Sequence, residues 1–238
     1  DFLSTYGYEI NDIGFSIGTK FEQYENIFFS PEIDITLEEL DTNSTASTNL
    51  KKQEGNYEDV YFKYSIDQDL RDSSYDPTRG NYTSFYQELP LISDSNEIIN
   101  TFSFTQYKAL SNTNKTIGKA SLLLKAANSL DDKDVRISKR AQIPYNRLRG
   151  FERGKVGPKD GDDFIGGNYA VALNLSTNLP GLMSTVDILD FNYFIDIANI
   201  WGVDYDSAID DSSAIRSATG LGVDLLTPVG PLNFSFSQ

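Results

Sequence analysis

The side chains best placed to do chemistry sit in one polar stretch, "YNRLRGFERGKVGPKDGDDFIGGNYAVALNL", residues 145 to 175. It holds the tripeptide Arg149-Gly150-Phe151 among closely spaced glycines. A guanidinium is a planar fork of N–H donors that holds a carboxylate, or several carbonyls, in one orientation. Glycine lets the backbone turn where a side chain would be strained. The competing reading is plain: Arg-Gly-Phe is a common tripeptide, and an arginine in a polar loop is ordinarily solvated.

Other chemistries find less support. Adjacent carboxylates occur at Asp131-Asp132 and Asp162-Asp163, and glycosidases work with a carboxylate pair. Neighbouring residues on a loop point apart, however, and nothing holds a water or sugar between them. The acidic loop "VDYDSAIDDSS" lacks the sixth-position glycine and closing glutamate of an EF-hand, so a solvated loop is expected. Cysteine and histidine are absent, which removes most zinc sites and the Ser-His-Asp and Cys-His nucleophile systems. Neither enzymatic activity, a metal nor a cofactor is expected.

The elements that must position these residues read as strand after strand. In "EIDITLEEL", Ile33, Ile35 and Leu37 fall on one face and Glu32, Asp34, Thr36 and Glu38 on the other. "NYAVALNLS", "LDFNYFIDIANI" and "PLNFSFSQ" alternate in the same way. About ten such segments follow one another, near residues 13–22, 27–40, 58–69, 81–91, 98–110, 117–128, 164–177, 186–200, 215–227 and 231–238. Capped helical stretches are not expected. Aromatic content fits strands, with 14 Tyr and 15 Phe.

Two soluble or membrane folds share that alternation. An antiparallel sandwich also reads apolar in and polar out, but it would bury the Asp, Glu, Lys and Asn of the polar faces in a dry core. Connections alternate between short and long, as in a transmembrane barrel with tight turns at one end and long loops at the other. The reading is therefore all-β, an antiparallel transmembrane β-barrel. No run of roughly 18 apolar residues suggests a membrane helix, and no basic-then-apolar leader opens the chain. A formal charge of −15 disfavours nucleic acid as a partner.

Three motifs add a resemblance. "LRGFERGKVGP" with "GGNYAVALNL", carrying Gly157-Pro158 and Gly166-Gly167, resembles the sixth external loop and following strand of the BamA family of outer-membrane protein assembly barrels. "DLRDSSYDPTRGNYTSF", with Asp72, Pro77 and Gly80, is similar to that family's strand-turn-strand element. "ATGLGVDLLTPVGPLNFSFSQ", with Pro228, Gly230 and Pro231, resembles its near-terminal hairpin.

The resemblance implies a sixteen-stranded barrel in the cell outer membrane, of which residues 1–238 would be a partial piece, roughly strands six to fifteen. The first strands, the last strand and the periplasmic POTRA modules are expected to lie outside it. Residues 129–163 would form a long loop folding into the lumen, with Arg149 bound to an acidic wall residue, here Asp196, and Phe151 as an apolar plug. The family often has a second acid in the register of Ser176, where this sequence departs; Asp190, Asp224 or Asn174 could compensate, or the lock has one carboxylate fewer. Asp72, Pro77 and Gly80 read as a structural turn. Tyr145, Tyr169, Tyr193 and Trp201 are candidates for an interfacial aromatic girdle.

By resemblance the function is insertion and assembly of outer-membrane proteins. The implied partners are unfolded outer-membrane proteins, lipoproteins of the assembly machinery and outer-membrane lipid. A passive pore or secretion transporter of the same superfamily, and a soluble secreted β-sandwich, are the alternatives.

Overall fold

A computed structural model describes residues 7–111, 116–152, 154–180, 182, 189–206, 208–209, 214–227 and 230–238. Its strands are β1 (Tyr8–Gly18), β2 (Phe21–Tyr24), β3 (Ile27–Thr42), β4 (Gly55–Asp69), β5 (Gly80–Ser93), β6 (Glu97–Ala109), β7 (Ile117–Ser129), β8 (Lys159–Asp160), β9 (Asp163–Phe164), β10 (Tyr169–Asn178), β11 (Leu189–Trp201), β12 (Arg216–Thr227) and β13 (Gly230–Ser237). One antiparallel meander runs β1-β3-β4-β5-β6-β7-β10-β11-β12-β13, with β2 extending β1 alongside β3. Counting β1 and β2 as one broken strand makes ten, the number expected. Most exceed the roughly 9–11 residues a tilted strand needs to cross a bilayer, β3 by several residues at 16.

Sidedness follows the alternation. Ile13, Phe15 and Ile17 of β1 face Leu37, Ile35 and Ile33 of β3 across the sheet, and all but Ile33 are strongly exposed. No second sheet covers this face among the described residues, so the two-layer sandwich is not the architecture. The opposite face carries Asp34, Lys63 and Glu88, with Lys63 Nζ 2.9 Å from Asp34. These line a cavity of about 510 Å³ together with Thr101 and Lys125. A hydrocarbon-facing apolar stripe over a wet interior is the barrel arrangement.

The outer stripe is interrupted once in the middle. Tyr64 donates to Gln87 Oε1 at 2.9 Å, and Gln87 donates in turn to Asn100. Linking the amides to one another offsets the cost of polar groups facing lipid. Around them, Phe21, Phe29, Tyr64 and Phe85 form a run of ring contacts with centroids 5.7 to 6.2 Å apart. Tyr169 and Trp201 pair at 5.8 Å near the long-loop end. Tyr145 departs from the girdle expectation, because it sits in a 3-10 turn of the long loop, Tyr145–Arg147, and not on a strand.

Long connections gather at one end of the sheet. The 43–54 connection holds one helical turn, α1 (Thr48–Lys51), capped by the Ser47 hydroxyl, which accepts from Leu50 N at 3.1 Å. This departs from the expectation of no capped helix; four residues are too few to show a 3.6-residue period. Leu40, Ala46, Leu50, Ile137 and Ile165 bury together there with Tyr8. The connection between β7 and β10 turns inward instead. Ala141, Ile143, Leu148 and Val156 pack against Ala170, Ala172, Ala198 and Ile200. Small inward side chains on β10 and β11 leave room for a loop to lie against the wall.

Candidate functional site

The inward loop reaches the wall at Arg149. Its Nε and Nη2 each donate to Asp196, at 2.8 Å to Oδ2 and 2.8 Å to Oδ1, and its backbone N–H adds 3.0 Å to Oδ2. Asp196 is fully buried on the inward face of β11. The guanidinium carbon also lies 3.4 Å from the centre of the Phe194 ring, so the cation is held by a two-pronged carboxylate contact and an aromatic face together.

The residue that completes this contact is Asn174. It lies directly opposite Asp196 in the β10–β11 register, whereas Ser176 lies opposite Phe194. Asn174 Nδ2 donates to Asp196 Oδ1 at 2.8 Å and to the Arg147 carbonyl at 2.8 Å. Its Oδ1 accepts from Arg147 Nη1 at 3.2 Å. Asp190 and Asp224 sit across from each other six residues along the strand from Asp196, with Asn192 bridging to Asp224. Of the candidates named from sequence, Asn174 alone joins the Arg149 contact. Burial pushes the Arg147 guanidinium down, and the nearby Asp196 charge pulls it back up.

Gly150 has φ of +87°, and an added Cβ would stand 2.2 Å from Ser237 Oγ. The loop tip thus spans β10 and β11 and touches β13. Phe151 is not swallowed by the core; it is 38 % exposed and borders a small cavity with Tyr145, Leu148 and Val156. Gly157 has positive φ and presses on Ile200, and Gly167 lies against the Trp201 carbonyl. The Pro158 carbonyl accepts from Ile165 N, and Gly166 adopts φ of +66°.

The other motifs lie elsewhere. Asp72 accepts from Thr78 N at 2.9 Å, from Thr78 Oγ1 at 2.5 Å and from Arg79 N at 3.1 Å, which holds its carboxyl down at about 2. Gly80, at φ of +93°, passes the Leu70 carbonyl too closely for a side chain. With Pro77 between them, this is a turn at the short-connection end. Gly230 and Pro231 pair with Thr227 and Leu226 in the β12–β13 hairpin; Pro228 lies outside the described residues.

A second cation was missed from sequence. Arg136, in the first arm of the same loop, is 2 % exposed. It pairs with Asp59 through Nη2 and with Glu38 through Nε at 3.5 Å. Its backbone N–H donates to Glu97 Oε1 at 3.0 Å, and its guanidinium lies 4.2 Å over the Tyr57 ring. Burial alone would lower its pKa, but Glu38, Asp59 and Glu97 carry it above the ordinary value. The signal present in sequence was the carboxylates on the polar faces; which strands would bring them together was not.

The ten-strand sheet matches a known fold. The Omp85 superfamily domain matches residues 2–238. This chain belongs to the Omp85 superfamily. A SAM50-like protein of Schizosaccharomyces pombe is 26 % identical over 204 residues, covering 81 % of this chain and 42 % of that protein. The crystal structure of BamA from Haemophilus ducreyi lacking POTRA domains 1–3 superposes with a TM-score of 0.85 at 22 % identity, covering 97 % of this chain and 51 % of that one. This Omp85 chain therefore spans about half the length of the relatives it matches. Its fold is that of the BamA barrel, here a ten-strand part of it with β1 and β13 unpaired to each other among the described residues. The protein is an outer-membrane β-barrel.

Proposed function

We propose that this Omp85 chain forms the barrel wall of a machine that inserts other outer-membrane proteins, with unfolded outer-membrane proteins as substrates and assembly lipoproteins and membrane lipid as partners. Residues 129–163 act as an internal brace on that wall. The observation that carries the reading is the Arg149–Asp196 contact, a two-pronged ion pair on a fully buried carboxylate.

Physical reasoning supports a brace in such a machine. Inserting a strand into lipid requires a wall whose edge can accept backbone hydrogen bonds, because unpaired N–H and C=O groups are costly in hydrocarbon. A wall that opens at one place must be held elsewhere. The loop tip bonds to β10 and β11 from inside and lies close to β13, so it ties two neighbouring strands together while leaving their outer face to lipid. No step of this needs a nucleophile or a cofactor; the work is hydrogen bonding and membrane deformation.

The test is replacement of the full-length gene by an Arg149→Ala version in the native host, with folded outer-membrane proteins counted by their heat-modifiable migration. The expected result is that substrates accumulate unfolded while the variant itself reaches the membrane. Normal substrate folding alongside a blocked export of one secreted partner would instead favour the secretion-pore alternative.

A further inference from the structure

Arg136 precedes Arg149 by 13 positions along the loop, and it docks on a different part of the wall. Glu38 is on β3, Asp59 on β4 and Glu97 on β6. Arg149 docks on β11, and Arg147 beside it on β10. One loop therefore bonds to strands in both halves of the meander.

The Arg136 seat is built more closely than a solvated contact needs. All four charged side chains are at least nine-tenths buried. Each carboxylate has a further partner: Ser138 Oγ donates to Glu38 at 2.8 Å, Ser93 Oγ to Asp59 at 2.6 Å, and Tyr61 Oη to Glu97 at 3.2 Å. Gln53 Oε1 accepts from Ile137 N at 2.8 Å and Asp204 Oδ2 from Val135 N at 2.9 Å, so the arm's backbone is fixed on both sides of the arginine. Lys139 adds a second cation, 3.8 Å from Asp59 and 4.6 Å over the Tyr61 ring. Three acids face two cations in a largely buried site, so removing one cation leaves buried charge uncompensated.

We infer that Arg136 is a positioning residue: it clamps the first arm of the loop to the β3–β6 wall, and the seat of Arg149 on Asp196 depends on that clamp. The loop is then a strut between two walls and not a tether on one. Between the anchors the chain has only two single-turn 3-10 segments, Ile137–Lys139 and Tyr145–Arg147, and the short bridge of Ala141 to Gly167. With so little internal hydrogen bonding, the segment holds its shape through its two ends and through the packing of Ala141, Ile143 and Leu148 on the wall. This inference rests on the brace reading above for its functional meaning, but its geometry is independent of it.

Hydrogen exchange read by mass spectrometry on the purified full-length protein in lipid nanodiscs tests it. Arg136→Ala is expected to speed exchange about tenfold or more both in the arm, residues 134–140, and at the distant tip, residues 147–151, while β10 and β11 stay protected. A purely local role would move the arm alone. Arg149→Ala is expected to free the tip and leave the arm protected. Arg136→Lys, which keeps the charge without the fork, is expected to fall between wild type and Arg136→Ala at both places. If Arg136→Ala does not fold, Asp59→Asn weakens the same seat and is read identically.

Tip exchange unchanged from wild type in a folded Arg136→Ala or Asp59→Asn variant overturns the inference. The two readings fail separately. A loosened tip with normal substrate assembly in cells leaves the strut standing and removes the brace function; lost assembly in Arg149→Ala with a tip indifferent to Arg136 does the reverse.

Discussion

Arg149→Ala is expected to destabilise the folded barrel by about 3–5 kcal/mol, because it leaves a buried carboxylate without its cation. Asp196 is fully buried, and in the variant it would keep only the amide of Asn174 and a backbone N–H as donors. Removing both partners is expected to cost much less: Arg149→Ala with Asp196→Ala should lose about 1–2 kcal/mol, since two apolar groups need no partner. The measurement is a double-mutant cycle in urea, following the shift between folded and unfolded bands on a gel. A coupling near zero would mean the pair is solvated in practice, and the loop tip would then be held by the apolar packing of Leu148 and Val156 and by Asn174.

The second large effect concerns the outer face. Leu173 points outward on β10, flanked across the sheet by Ile197 and Leu122. Leu173→Arg is expected to cost about 2–4 kcal/mol if that position sits near the bilayer midplane. Thr101→Arg, placed in the wet cavity near Glu88 and Asp34, is expected to change stability by under about 1 kcal/mol, because a cation there keeps water and finds carboxylates. The contrast between the two, measured in the same vesicles, carries the information. Equal costs would mean both faces meet the same solvent.

How much of this was legible beforehand depends on the range of the interaction. Alternation is local, so each of the ten strands announced itself, and so did the side it turns to lipid: Ile33, Ile35 and Leu37 need no partner to be read as one face. The lock was half legible. Asp196 came through the resemblance of "LRGFERGKVGP" and the strand that carries "DIANIW", but the register of β10 against β11 decides whether position 174 or 176 sits opposite, and that depends on the irregular backbone from Gly166 to Asn168. A slip of two residues along a strand keeps the face and changes the partner, which is why Asn174 rather than Ser176 completes the site.

The Arg136 seat was not legible at all. Its carboxylates come from β3, β4 and β6, with Arg136 and Asp59 77 positions apart, and nothing in the local pattern of "VRISKRAQ" marks Arg136 as a clamped arginine. What brings them together is the curvature of the sheet around the loop, a property of the whole meander. The hydrogen-bonded Tyr64, Gln87 and Asn100 teach the same lesson from outside: each breaks the apolar pattern of its own strand, and only the cross-strand register shows that they satisfy one another.

The most direct test of the central claim, lipid outside and water with a tethered loop inside, is a spin-label scan along β6 in the full-length protein reconstituted in vesicles. The sequence contains no cysteine, so single cysteines at Thr101, Phe102, Ser103 and Phe104 label cleanly if the rest of the chain also has none. The account predicts that Phe102 and Phe104 positions collide with lipid-dissolved oxygen while Thr101 and Ser103 positions collide with a water-soluble nickel chelate. Accessibilities that fail to alternate, or that alternate with the opposite phase, would contradict it.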